Sequence, residues 1–316
     1  MASRLKQQHW AAQQERGSRF FLQVTIWMVR YCPRWLVRIA VYVVATYFYI
    51  TSKTARRNAA RYQRRLRACY GDEVLPQRAP VFQQFTTFAE AISDRFAVWQ
   101  RKIGMEQLVF HCPSGIEQTM HYPVAGTRGQ ILLCSHLGNV EITRALSAEW
   151  RDFRLNVLMH SRHAEDFNRA LRQAGADDVR VIQVNELDAA TMLQLNQRIE
   201  DGEWLAIAAD RIPVRGEKTV SAPFLGDSAL FAQGPWLLAG LLHVPVNTLF
   251  CLKENGYYHL YIERFRDELS WTRANRQDVI TGAVADYARL LADYCAKAPL
   301  QWFNFYDFWQ DEHEKK

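Results

Sequence analysis

The chain has 316 residues, 49% of them hydrophobic and 23% charged, which allows a sizeable core and excludes a broadly disordered polymer. Its net charge of +6 is uneven: residues 1–70 hold fourteen Lys or Arg against one acid, Glu15, while the remainder is mildly acidic. A basic arm suits either nucleic acid or an anionic membrane surface, and the sequence beside it decides between them.

Two apolar stretches lie in that arm, Phe20 to Val29 and Trp35 to Ile50, with Arg30, Pro33 and Arg34 between them and Arg38 near the start of the second. Crossing a bilayer takes about 20 apolar residues, whereas a sixteen-residue helix reaches only about 24 Å. A shallow or tilted insertion is therefore expected, with a single crossing as the close alternative and Arg38 snorkelling to the headgroups. Lys53, Arg56, Arg57, Arg61, Arg64, Arg65 and Arg67 follow with no acid before Asp72. Such a cluster beside an apolar helix fits anionic lipid on the cytoplasmic side; the competing reading is a solvated basic face next to a buried core helix. The polar first 19 residues and the lack of a small-residue cleavage site are unlike a cleaved signal peptide. No nucleic-acid recognition fold is recognisable, so no nucleic-acid partner is expected.

Beyond the arm, Pro80 to Lys102 reads as a helix with Phe82, Phe85, Phe88 and Phe96 along one face. Short apolar runs then alternate with helical patterns. Strands are predicted at Gln107–Cys112, Gln130–Cys134, Leu155–His160, Val179–Val184, Trp204–Ala209, Val246–Cys251 and Tyr258–Phe265. Helices are predicted at Asn139–Trp150, Ala164–Ala174, Glu186–Asp201, Phe231–Leu242 and Arg276–Ala296. This alternation predicts an α/β fold, a largely parallel central sheet flanked by helices, with an N-terminal membrane-associated helical arm. The expected division is residues 1–74 for the arm with its basic cluster and 75–316 for the α/β body, with no Pro/Gly/Ser-rich linker between them. The six cysteines, Cys32, Cys69, Cys112, Cys134, Cys251 and Cys295, form no metal-ligand spacing, and none reads as a nucleophile.

The chemistry concentrates in residues 130–146, where an apolar strand runs into Ser135-His136-Leu137-Gly138-Asn139 and a helix is predicted near Val140. Ligands gather at the carboxyl ends of parallel strands. Gly138 lets the backbone turn or lets a ligand approach closely. On one regular helix His136 and Glu141 would lie about 140° apart, so they meet only if His136 sits on the turn and Glu141 in the first helical turn. A carboxylate beside an imidazole fixes its tautomer and stabilises the imidazolium, as a general base requires. A lone His near a strand end is otherwise commonly structural.

His136-Leu137-Gly138-Asn139-Val140-Glu141 matches the H-x4-D/E signature of lysophospholipid-type acyltransferases. Within them the chain resembles the lipid A biosynthesis (late, or secondary) acyltransferase branch, over most of its length. Leu158-Met159-His160-Ser161-Arg162 resembles that family's strand ending in arginine. Ala208-Ala209-Asp210-Arg211 falls where the family has Asp followed usually by Gln, and Ala222-Pro223-Phe224-Leu225-Gly226 resembles its P-F-x-G segment. Two departures bear on the acceptor: Arg211 replaces the usual Gln, and the tail from Gln301 to Trp309 differs from that of the lipid A enzymes. The E-G-T-R motif of the glycerolipid branch is missing, Gly126-Thr127-Arg128 lying upstream of His136.

The resemblance implies an acyltransferase at the cytoplasmic face of a bacterial inner membrane, moving a fatty acyl group from an acyl carrier protein or acyl-CoA thioester to a hydroxyl of a lipid A-like glycolipid. His136 and Glu141 would be catalytic. Arg162, Asp210 and Arg211 would bind substrate or the oxyanion, with backbone N–H groups near Asn139 as alternative oxyanion donors. Asp210 could equally hold Arg162 or Arg211, or cap a turn. No cofactor is expected, and no metal, since His160 and His163 lack further ligands. Other lipid acceptors, a phospholipid or a polyketide-like lipid, and a non-catalytic lipid-binding protein are the competing readings. The aromatic tail is expected to pack on the sheet rather than rest among lipid headgroups.

Overall fold

The computed structural model describes residues 27–121, 126–143, 153–159, 179–183, 189–211 and 218–309. In chain order the helices are α1 (Arg34–Thr51), α2 (Lys53–Tyr70), α3 (Pro80–Trp99), α4 (Ile116–His121), α5 (Ala189–Glu200), α6 (Gly234–Leu242) and α7 (Arg276–Lys297). The strands are β1 (Leu108–His111), β2 (Ile131–Cys134), β3 (Leu155–Met159), β4 (Val179–Gln183), β5 (Trp204–Ala208), β6 (Thr219–Phe224), β7 (Asp227–Ala232), β8 (Val246–Glu254) and β9 (Tyr257–Arg266).

Seven strands make one sheet in the order β1-β9-β8-β2-β5-β3-β4. Every neighbouring pair is parallel except the β8–β9 hairpin, so the expected mixed α/β fold with a largely parallel sheet is found. The central strands are covered on both faces, which is why they read as unbroken apolar runs. Ile131, Leu133, Leu205, Ile207, Phe250 and Leu252 point into a core shared with α6, α7 and the C-terminal tail. Leu132, Cys134, Trp204, Ala206, Leu249 and Cys251 point to the other face, towards α4 and the end of α3.

Several boundaries differ from expectation for local reasons. The predicted helix Phe231–Leu242 starts at Gly234, because Phe231 and Ala232 belong to β7 of an unpredicted hairpin with β6. That hairpin turns through Leu225 and Gly226, with φ of 50° and 80°; a leucine in the left-handed region is not a turn signal a sequence advertises. The β8–β9 hairpin turns at Asn255-Gly256, with φ of 51° and 86°, and that dipeptide marks a hairpin extending both predicted strands. The predicted helix Asn139–Trp150 begins as a 3-10 turn, Val140–Thr143; residues 144–152 lie outside the described residues, as does the predicted helix Ala164–Ala174.

Among the described residues no single helix is long and apolar enough to cross a membrane; α1 and α2 pass such a test only as a pair bent by 94°. α2 does not simply present its cations to the outside. Asn58, Ala59, Tyr62, Gln63 and Leu66 are buried, and Tyr62 and Leu66 join the main core. Arg61 pairs with Asp307 at 2.8 Å and Arg65 with Asp227 at 2.6 Å. Arg65 also lies over the Trp309 ring at 4.8 Å. Part of the basic cluster is thus engaged by the protein, because the helix carries one apolar face that the body covers; Lys53, Arg57 and Arg64 stay exposed.

Candidate active site

Strands β2 and β5 are parallel neighbours whose last residues, Cys134 and Ala208, pair in register. Two residues beyond each end stand His136 and Asp210, which this register brings level. His136 donates from its backbone N to Asp210 Oδ2 and from its ring Nδ1 to Asp210 Oδ1, both at 2.8 Å. Trp302 Nε1 donates to Oδ2 at 3.0 Å. The Asp210 side chain is 0% exposed and that of His136 36% exposed, so Nδ1 is turned to the buried carboxylate while part of the ring stays accessible.

Three N–H donors around one carboxylate favour its ionised form. Burial alone would raise the Asp210 carboxyl, but the charge and hydrogen bonds of His136, with Arg211, outweigh it and hold it below the usual range. Burial, then the positive charge of Arg211, lowers the His136 imidazole below its ordinary value; Asp210 opposes this and Arg95 adds to it. At neutral pH the arrangement is therefore an aspartate, a proton on Nδ1, and an unprotonated Nε2 able to accept a proton.

The residues expected from sequence fall as follows. The carboxylate on Nδ1 is Asp210, not Glu141. The reason is topological: a parallel neighbour strand delivers Asp210 to the inner side of the ring, whereas Glu141 sits further along in the 3-10 turn, half-buried, its charge reaching Cys134. Asp210 thus holds the imidazole in addition to feeling Arg211. Arg211 lies over the Tyr306 ring at 5.0 Å. Arg162, His160 and His163 lie outside the described residues.

The backbone amide of Asn139, expected as an oxyanion donor, is already used by Cys251 O at 2.8 Å, and that of Gly138 by Gln301 O at 2.9 Å. Gly138 has φ of +74°, and a Cβ there would lie 1.9 Å from Cys251 O. What approaches this glycine is the protein's own strand β8. The Asn139 carboxamide is buried, donating to Ala91 O on α3 at 2.9 Å and accepting from Arg95 Nε at 3.3 Å.

Trp302, Tyr306 and Arg95 are absent from the sequence-derived set. The tail crosses the carboxyl edge of the sheet as a short antiparallel partner of the catalytic turn. Leu137 bridges Trp302, and Phe303 N donates to His136 O at 2.9 Å. Tyr306 O–H donates to Asp210 O at 3.4 Å. Gln301 grips the Lys253 backbone with both ends of its amide at 2.9 Å, and Gln84 Nε2 donates to Trp302 O at 2.7 Å. Phe303 and Phe305 both meet Phe88, their centroids 5.2 Å from its ring. The tail packs on the sheet, and its indole also holds the site's carboxylate.

The buried thiols are chemically quiet. Burial pushes the Cys134 thiol up to about 12 and raises those of Cys251 and Cys295, so they stay protonated. Among the described residues no three His, Cys, Asp or Glu converge as a metal site.

A family model described as bacterial lipid A biosynthesis acyltransferase matches residues 6–311, nearly the whole chain. A search of curated proteins found no match.

Proposed function

Since this chain belongs to the bacterial lipid A biosynthesis acyltransferase family and is therefore an acyltransferase, we propose that it moves a fatty acyl group from a carrier thioester to a hydroxyl of a lipid A-like glycolipid, with His136 as general base. The observation that carries this reading is the His136–Asp210 pair at the carboxyl edge of the sheet, in which the carboxylate accepts the Nδ1–H hydrogen bond and Nε2 is left to accept a proton, on a side chain that is 36% exposed. Nε2 takes the acceptor's hydroxyl proton as the oxygen attacks the thioester carbon. Asp210 stabilises the imidazolium, which then returns the proton to the departing thiolate. A base of this kind contributes about 10²–10⁴-fold. Glu141, on the same turn with its charge reaching Cys134, is assigned a supporting role beside the pair; Arg162 and Arg211 take anionic parts of the substrates.

Work at a membrane surface is supported by α1, whose Trp35, Ile39, Tyr42, Val43, Tyr47 and Ile50 are all exposed. Positions 35, 39, 42 with 43, 47 and 50 recur every three or four residues and draw one apolar stripe along the helix, as in interfacial helices. Exposed Arg38, Lys53, Arg57 and Arg64 lie along the same two helices, suited to the anionic cytoplasmic face of the inner membrane.

The test is purified protein with acyl carrier protein or CoA thioesters and candidate acceptors, products read by mass spectrometry. His136→Ala is expected to abolish transfer while membrane binding persists, and Glu141→Gln to lower turnover less than Asp210→Asn does. A phospholipid or polyketide-like acceptor is the second reading, favoured by Arg211 and by the tail whose Trp302 touches Asp210. Acylation of such an acceptor, with lipid A precursors inert, would replace the first choice.

A further inference from the structure

An oxyanion on the thioester carbonyl needs hydrogen-bond donors, and stabilising it is usually a larger effect than the base itself. The backbone of the catalytic turn has none to spare between residues 136 and 139. His136 N donates to Asp210 at 2.8 Å and Leu137 N to Ser135 Oγ at 3.2 Å. Gly138 N donates to Gln301 O at 2.9 Å and Asn139 N to Cys251 O at 2.8 Å. Those four amides build the turn and are not available to charge that develops beside Nε2, which turns attention to the side chains held against it.

We infer that Arg95, projecting from α3, is a catalytic residue whose guanidinium stabilises that oxyanion. Its placement is constructed. The buried Asn139 carboxamide clamps the catalytic turn onto α3 at two points one helical turn apart, donating to Ala91 O and accepting from Arg95 Nε. A guanidinium anchored through Nε keeps its two terminal NH₂ groups for another partner. Arg95 is half-buried, where a positive charge is less screened than at the surface. Its charge is felt by the His136 ring, as is that of Arg211. The two belong to different elements, α3 and the turn after β5, so two separate parts of the chain bring positive charge to the imidazole. The asparagine inside the H-x4-E segment then has a purpose: it fixes the distance between base and cation.

The inference rests on the acyl-transfer reading above. When the acceptor oxygen bonds to the thioester carbon, the C=O electron pair moves onto oxygen, where Arg95 donates to it. Collapse re-forms C=O and breaks C–S, and the thiolate takes the proton from His136. Nothing is oxidised or reduced, and the proton taken from the hydroxyl leaves on the thiol.

The experiment compares the full-length enzyme with Arg95→Gln, Arg95→Lys and Arg95→Ala, measuring kcat and KM with an acyl carrier thioester. Thermal melts check that each variant folds. For Arg95→Gln, kcat is expected to fall about 10²–10³-fold while KM for the donor changes less than about threefold. Arg95→Lys should recover part of the loss, and guanidinium ion at millimolar concentration should rescue Arg95→Ala, which a purely structural residue would not permit. Arg95→Gln turning over within about threefold of wild type, or losing only KM, overturns the assignment. So does a folded Arg95→Ala that guanidinium leaves unchanged. His136→Ala is run alongside: if it stays active, the acyl-transfer reading itself fails, and that outcome is distinct from any result at Arg95.

Discussion

Replacing Asp210 with asparagine isolates what the buried carboxylate does, because shape is kept and charge is lost. In the native protein the two oxygens accept three N–H groups, from the His136 backbone, the His136 ring and the Trp302 indole. Asparagine offers one oxygen and an NH₂, so at least one of these donors faces another donor. A buried donor left unsatisfied costs about 1–3 kcal/mol, enough to lower the melting temperature by several degrees in a chain of this size. The larger effect is on the ring: an NH₂ facing Nδ1 draws the imidazole into the tautomer with its proton on Nε2, which can no longer accept one. In a buried Asp–His pair that inversion costs about 10⁴-fold in turnover, or about 5.4 kcal/mol at 1.36 kcal/mol per decade. Steady-state acyl transfer, with a denaturation curve on the same preparation, measures both. A folded Asp210→Asn enzyme keeping more than about a tenth of wild-type turnover would refute the tautomer argument.

Further outcomes follow from the same geometry. Because burial and neighbouring cations lower the His136 imidazole, its base form persists below the ordinary value of about 6.5. The acidic limb of kcat/KM against pH should therefore fall below that point, and Arg211→Gln should shift it upward; a limb centred above 6.5 in the native enzyme contradicts this. Gly138→Ala combines a φ of +74° with a Cβ 1.9 Å from a backbone oxygen, and should destabilise by at least about 3 kcal/mol, read by chemical denaturation. Ile39→Glu with Val43→Glu alters side chains 53% and 60% exposed, so stability should hold within about 0.5 kcal/mol while sedimentation with anionic vesicles drops; unchanged sedimentation would detach α1 from the membrane proposal.

Much of the scaffold was readable because its signals are local. The seven sheet strands are short apolar runs, and Pro80 opens α3 where proline is tolerated. His136 announced itself through the turn glycine and the strand before it. Its partner did not, because the pairing depends on β5 lying beside β2 in register, and a sequence does not state which strands are neighbours. Glu141 stands five positions from His136; Asp210 stands 74 positions from it. The tail's part was hidden for the same reason, since Trp302 reaches Asp210 across 92 positions. Arg95 is one charge within a long helix, and only the Asn139 clamp sets it apart.

The C-terminal tail has a consequence for how the enzyme comes into being. Residues 302–309 follow every other part of the site in chain order, yet they close on α2, made long before: Asn58 binds Phe305 O at 2.9 Å, Arg61 binds Asp307 at 2.8 Å, and Tyr62 meets the Trp302 ring at 4.9 Å. Contacts of such sequence separation form slowly and late. On a ribosome, a nascent chain could dock its first helices and assemble the whole sheet and still be inert, its aspartate lacking the indole. Activity would then depend on residues 302–309 folding back onto α2 and the catalytic turn, the site being completed by the last of its parts to be made.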